Sequence, residues 1–194
     1  MRIVDLYGQA ESIVEQAADL LVTGFDEPRG WPNLDLAREE IASVLREGFA
    51  FALRDADLVL GWVGGLPAYA GRVWELHPMV VRREHRRLGF GRQLAAAFEA
   101  EARKRGGLTA TLGTDDDSGM TSLSGINLYD DIAGHLAALH DLGRHHPFLF
   151  YRRLGYVVTG VMPDANGPGR PDIFMSKRLH SDVVQTFTAF SDCV

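Results

Sequence analysis

Apolar positions along the chain recur with two periods, and the switches between them mark out the elements. Residues 2–7 predict a short strand. Ile13, Ala17, Leu20 and Leu21 then recur at helical spacing and predict a helix over 12–21. Trp31-Pro32-Asn33 breaks that pattern. A second helical run follows Asp35 through Leu36, Ile41, Val44 and Leu45, and Gly48 ends it. Residues 49–53 and 58–64 predict two strands with Asp55-Ala56-Asp57 as their turn, and 74–81 predicts a third. After a Gly-containing turn, Leu94, Ala95, Phe98 and Ala102 make the buried stripe of a long helix that runs to Arg105 and stops at Gly106-Gly107. Residues 108–113 predict a strand, and 114–127 are polar. Ile132, Leu136 and Leu139 predict a helix up to Gly143, and Pro147 opens a short one that ends near Gly155. Strands over 156–162 and 172–177, joined by the turn-rich loop 163–169, complete the pattern. This order predicts an α/β fold whose sheet mixes parallel and antiparallel pairs. Residues 1–179 are expected to form a single domain, with 180–194, which carry no clear pattern, as a tail.

Composition narrows the function classes. With 194 residues, 46% hydrophobic and 24% charged, the chain is neither disordered, collagen-like nor a disulfide scaffold. Its one cysteine, Cys193, has no partner for an internal bridge, which fits a reducing compartment. Twenty-six acidic against twenty basic residues give a net charge of −6, which argues against nucleic acid as a partner and is compatible with a cationic substrate. Asp5 stands where a signal peptide needs an apolar run, and no stretch approaches the roughly 20 apolar residues of a membrane span. A cytoplasmic protein with no membrane partner is expected.

Candidate chemistry concentrates after the strand at 74–81. Arg86-x-x-Gly89-x-Gly91 stands between that strand and a helix, where glycines let backbone approach a ligand and the helix start offers unpaired N–H groups. Arg83, Arg86, Arg87 and Arg92 surround it with positive charge. A purely structural turn has the same appearance. Strand alternation predicts Val73, Glu75, His77, Met79 and Val81 on one face and Trp74, Leu76, Pro78 and Val80 on the other. Pro78 has no N–H, so a bulge, a parting of neighbouring strands or an edge strand is expected there. Asp115-Asp116-Asp117 follows a strand end and is either solvated or a cation-binding mouth. His140, His145 and His146 lack a matching Cys or HExxH arrangement, so no metal is expected. Cys193 has nothing near it to activate a thiol.

Arg86-x-x-Gly89-x-Gly91 and Phe150-Tyr151-Arg152-Arg153-Leu154-Gly155-Tyr156 resemble two motifs of the GNAT superfamily of N-acetyltransferases. Trp74-Glu75-Leu76-His77-Pro78, Leu112-Gly113-Thr114-Asp115-Asp116, His146-Pro147, Pro163-Asp164-Ala165-Asn166-Gly167 and Pro171-Asp172-Ile173 resemble one subgroup, the chromosomal enterococcal type of aminoglycoside 6'-N-acetyltransferase. The resemblance spans roughly residues 58–179; the first fifty residues match loosely. It implies a GNAT fold: a mixed, mostly antiparallel central sheet, helices on both faces, and a strand pair splayed at the acetyl-CoA site. It implies acetyl-CoA as co-substrate.

The resemblance also implies roles. Glu75 is expected as the base, directly or through water, or alternatively as an anchor for the substrate ammonium. The backbone N–H of Met79 is expected to hold the oxyanion, Tyr151 to protonate the thiolate, and His77 to position the acceptor or a water. Pantetheine is expected along Met79, Val80 and Val81. The pyrophosphate is expected on the N–H groups of Arg86, Arg87, Leu88, Gly89, Phe90 and Gly91, with Arg87 and Arg92 near phosphates or adenosine. Glu75, His77, Asp115 and Asp116 are expected to contact the acceptor. An aminoglycoside 6'-amine is the expected acceptor; a polyamine, a lysine or a small metabolite amine is the alternative. A non-catalytic acyl-CoA sensor is disfavoured by the retained Glu75 and Tyr151. Relatives suggest a homodimer, for which 118–146 is long enough to form an interface.

Overall fold

The computed structural model describes residues 1–25 and 30–180. Cys193 and the rest of the expected tail beyond His180 lie outside the described residues. Seven strands, β1 (Arg2–Asp5), β2 (Phe49–Asp55), β3 (Leu58–Ala68), β4 (Val73–Val81), β5 (Thr109–Asp115), β6 (Val157–Met162) and β7 (Asp172–Arg178), form one sheet. Their order is β1-β2-β3-β4-β5-β7-β6. Only β4 and β5 run parallel. The helices are α1 (Glu11–Thr23), α2 (Leu34–Glu47), α3 (Phe90–Lys104), α4 (Ile132–Ala137) and α5 (Phe148–Arg153). No helix among the described residues is long and apolar enough to cross a membrane.

The sheet separates two cores. On one side α1 and α2 bury Ile13, Leu20, Leu21, Ile41 and Val44 against Ala52, Trp62 and Val80. On the other, α3 and α5 bury Leu94, Phe98 and Phe148 against Leu76, Leu112 and Met175. The stripe predicted for α3, Leu94, Ala95, Phe98 and Ala102, is fully inside. Each large apolar side chain so buried stabilises the fold by about 1.5–3 kcal/mol. Buried Glu99 on α3 accepts from Lys177 Nζ of β7 at 2.8 Å and from Arg103 at 3.1 Å, tying that helix to the sheet.

Two predicted boundaries move for local reasons. The start of α2 is set by Asn33, whose side chain accepts the Leu36 N–H at 2.9 Å. The helix expected to reach Gly143 ends at Ala137. Beyond it, the His140 carbonyl accepts from Ser122 N–H at 3.0 Å, and Leu142 N–H donates to the Met120 carbonyl at 2.9 Å. Pairing with residues 120–122 takes the backbone groups that a longer helix would use.

The departure that matters for function lies in the middle of the sheet. β4 is a central strand, but it pairs with β5 only at Val73–Thr109, Trp74–Ala110 and Glu75–Thr111. Past Glu75 the two strands part, so the rest of β4 is paired through β3 alone. At the same place the β3–β4 register slips: Met79 opposes Val63, while Leu76 opposes Gly65. Two residues on β4, His77 and Pro78, thus face the single Gly64 on β3, a bulge. The His77–Pro78 peptide is cis. The bulge corrects the predicted alternation. Met79 and Val81 pack into the α3 core together with Trp74 and Leu76, and Val80 turns to the α1–α2 core. An extra residue inverts every side chain after it, because the period of a strand is two.

Candidate active site

The parted strands enclose two adjoining clefts. The first, about 320 Å³, is lined by Met79, Val80, Val81, Arg86, Met120 and Pro147, among others. The second, about 310 Å³, is lined by His77, Pro78, Met79, Gly113, Asp115 and Tyr151, among others. Phe25, Met79 and Pro147 line both. The two clefts meet at these shared residues, the first reaching Arg86 ahead of α3 and the second reaching Asp115 at the end of β5.

The first cleft lies beside the glycine turn that opens α3. Gly89 caps the helix in the left-handed conformation, φ +86°, that suits glycine. Arg87, Leu88, Gly89 and Arg92 are exposed around the start of the helix, whose first N–H groups face outward without intrahelical partners. The four arginines divide. Arg83 donates to the carbonyls of Thr23 and Phe25 at 2.7 Å, and Arg86 donates to those of Gly24 and Val81, so both brace the end of α1. Arg87 and Arg92 make no such bonds among the described residues and are exposed.

The acidic and proton-bearing groups gather around the second cleft. Tyr151 is 8% exposed and lines the cleft, its ring against Phe150 and Tyr156. Burial pushes its phenol well above the usual range, so it is protonated at any physiological pH. Glu75 stands where β4 and β5 part, and its carboxylate has no ion-pair partner among the described residues. His77 Nε2 lies 3.3 Å from Glu40 Oε1 of α2, and its ring sits 6.2 Å from that of Trp31. Asp115 is exposed at the cleft mouth, with Asn166 Nδ2 donating to its carboxylate at 2.6 Å. Across the sheet Asp172 is its register partner on β7. The Asp172 carboxylate lies over Gly113, where a β-carbon would collide with it. Its Oδ1 is buried without a partner. Burial, and then the negative charges of Asp115 and Glu75, push its carboxyl up to about 6.

Asp116 is different. It is fully buried, and its two carboxylate oxygens accept the N–H groups of Met120 at 2.6 Å and Thr121 at 2.8 Å. Burial alone would raise its pKa, but the hydrogen bonds from Thr121, Met120 and Ser124 outweigh it and hold the group below the ordinary carboxylate range. The expected acceptor contact at Asp116 is therefore corrected: its side chain shapes the 116–121 turn and faces no cleft. No group of three His, Cys, Asp or Glu among the described residues is placed to hold a metal.

Residues 14–143 match the Acetyltransferase (GNAT) family. The chain belongs to it. It is a GNAT-type N-acetyltransferase that uses acetyl-CoA. Among solved structures, an aminoglycoside 6'-N-acetyltransferase complexed with coenzyme A is 37% identical with a TM-score of 0.85. The aminoglycoside 6'-N-acetyltransferase from Enterococcus faecium is 36% identical with a TM-score of 0.82. An aminoglycoside 6'-acetyltransferase type Ii is 33% identical with a TM-score of 0.71. Each comparison covers 93% of this chain and 98% of the other. The comparison with curated proteins returns no match.

Within this GNAT site, the structure brings His77, Met79, Asp115 and Tyr151 to one cleft and sets Glu75 at the strand vertex beside it. Three residues of the site escaped the sequence reading. Glu40 and Trp31 reach His77 from α2 and the segment before it, and no local pattern announces how those elements dock. Asp172 was visible only as part of Pro171-Asp172-Ile173. Its place opposite Asp115 follows from the β5–β7 register.

Proposed function

We propose that this GNAT enzyme acetylates the 6'-amine of aminoglycosides by direct transfer from acetyl-CoA. The observation that carries the proposal is the pair of adjoining clefts where β4 and β5 part, one reaching Arg86 ahead of the glycine turn of α3 and the other lined by Asp115 and Tyr151. The pyrophosphate rests on the α3 turn, with Arg87 and Arg92 outside it. The pantetheine arm extends along the unpaired edge of β4. The thioester reaches the junction of the two clefts, where the Met79 N–H receives the oxyanion. The acceptor enters from the Asp115 end as an ammonium. Glu75 takes a proton from it, directly or through water. The free amine then attacks the carbonyl carbon and a C–N bond forms; the C–S bond breaks, the thiolate takes the Tyr151 proton, and the second proton of the attacking nitrogen leaves through solvent to restore the phenol. The balance is one amide, one free thiol and one proton released to solvent. Identity of 33–37% to the three aminoglycoside acetyltransferases favours a polycationic acceptor.

The test is thiol release from acetyl-CoA with kanamycin, spermidine and a lysine peptide over concentration series. Saturable turnover of kanamycin with kcat/KM above about 10⁴ M⁻¹s⁻¹, and mass spectrometry placing the acetyl group on the 6'-amine, is the expected result. Slow, non-saturating turnover of all three rejects the named acceptor and leaves the acyl transfer chemistry standing.

Asp172 belongs to the acceptor side of this reading, and its cost can be measured. Its folded pKa of about 6 lies above the unfolded carboxylate value, so its protonated form favours folding. That stability is full below about pH 4 and is lost as pH rises through about 6. Asp172→Asn is accordingly expected to raise Tm at pH 7–8, with the gain vanishing below about pH 4. The same change is expected to raise KM for kanamycin roughly tenfold, the loss of one ion pair, while the Kd for acetyl-CoA holds. A lowered Tm, or an unmoved KM, counts against this placement.

A further inference from the structure

We propose that His146 is the positioning residue for Tyr151: its ring locks the first turn of α5 to the end of β5, and so sets the phenol at the cleft. The proposal rests on the reading of Tyr151 as the acid. His146 is 1% exposed, immediately before Pro147. Its Nε2 lies 3.0 Å from the carbonyl oxygen of Asp115, and its Nδ1 lies 3.2 Å from the backbone nitrogen of Phe148. These partners dictate the tautomer. A carbonyl only accepts and an amide N–H only donates, so the proton sits on Nε2 and Nδ1 is bare. One neutral ring thereby joins two elements: Asp115 ends β5, and Phe148 opens α5.

The position of α5 needs such a device. It has six residues, too few to hold together by propensity. Tyr151 follows one turn after the anchor, its N–H on the Pro147 carbonyl at 3.3 Å. The backbone of His146 is held as well. Its N–H donates to Asp141 Oδ1 at 2.8 Å, while Asp141 Oδ2 accepts from Gly143 at 2.8 Å and His145 at 3.2 Å. Asp141 bridges to Thr121, and the Thr121 N–H is held by Asp116. The end of β5, the 116–121 turn and the start of α5 are thus closed into one ring of hydrogen bonds. A displacement of about 1 Å in a reacting group can cost on the order of a hundredfold in rate, so a pin one turn from the phenol acts on kcat.

The experiment compares His146→Phe, His146→Asn, Tyr151→Phe and each double variant for kcat, KM and acetyl-CoA Kd. His146→Phe fills the space and removes both hydrogen bonds; it is expected to lower kcat on the order of tenfold with acetyl-CoA Kd changed by less than about twofold. His146→Asn keeps an acceptor for the Phe148 N–H but is too short to reach Asp115, and a loss of about threefold is expected. In the Tyr151→Phe background either change is expected to add less than about twofold, because the group it positions is gone. Losses that multiply in the double variants, or full kcat in both His146 variants, overturn the proposal. If His146→Phe does not fold, the same comparison is read from His146→Asn. Full kcat in Tyr151→Phe alone is the separate sign that the acid reading has failed, and the positioning role falls with it.

Discussion

Tyr151→Phe is expected to lower kcat by on the order of a hundredfold while acetyl-CoA Kd stays within about twofold. The change removes one oxygen and keeps the ring. The ring contacts to Phe150, 5.0 Å between centroids, and Tyr156, 5.7 Å, survive, so the fold is expected to hold. What disappears is a proton at the cleft. The charge that develops on a departing sulfur beside the buried Tyr151 ring is costly unless a proton meets it. A phenol whose pKa burial has raised is a weak acid in the ground state, but a fully occupied one. Steady-state thiol release gives kcat, and direct titration gives Kd. An unchanged kcat removes Tyr151 from proton transfer, or shows that C–S cleavage does not limit turnover.

Glu75→Gln is the second large effect, and it separates two roles for that carboxylate. As a base, Glu75 takes a proton from an ammonium whose pKa lies several units above neutrality, about 10.4 for a simple alkyl amine. Glutamine cannot do this. kcat/KM at pH 7 is then expected to fall on the order of a hundredfold, and the deficit to shrink as the pH approaches the amine's own pKa, where free amine is supplied by solvent. As an anchor, Glu75 pairs with the ammonium in the ground state; its loss raises KM about tenfold or more and leaves kcat and its pH profile in place. The position favours the base. Glu75 is the last β4 residue paired with β5, on the strand that carries the Met79 N–H, and its carboxylate has no ion-pair partner among the described residues. A pH series of kcat and KM for both proteins decides between the two.

Much of the fold follows from local pattern. The stripe of α3, the break before α2, the turn at 55–57 and the Gly89 cap are written in short-range spacing and backbone preference, which act before any tertiary contact forms. The turn between β4 and α3 was legible as a turn for the same reason, since Gly89 takes the left-handed conformation that opens the helix. Pro78 likewise announced a break in a strand, because it lacks a ladder donor. Sequence could not say which break. The structure shows both a bulge against β3 and a parting from β5.

The rest was decided by distant pairing. The bulge moved Met79 and Val81 to the α3 face, against the simple alternation, and only the register with β3 reveals it. Three consecutive acids at 115–117 look equivalent along the chain. Folding exposes Asp115 at the cleft, spends Asp116 on backbone N–H groups and brings Asp172 from 57 positions away to stand beside Asp115. His146 reads in sequence as one histidine of three, and its two ring bonds exist only once β5 and α5 meet. Local geometry and intrinsic chemistry set the elements, the glycine turn before α3 and the residue types available for acyl transfer. The tertiary structure alone decided which of those groups share a cleft, since burial, strand register and hydrogen-bond partners depend on contacts between residues far apart in the chain.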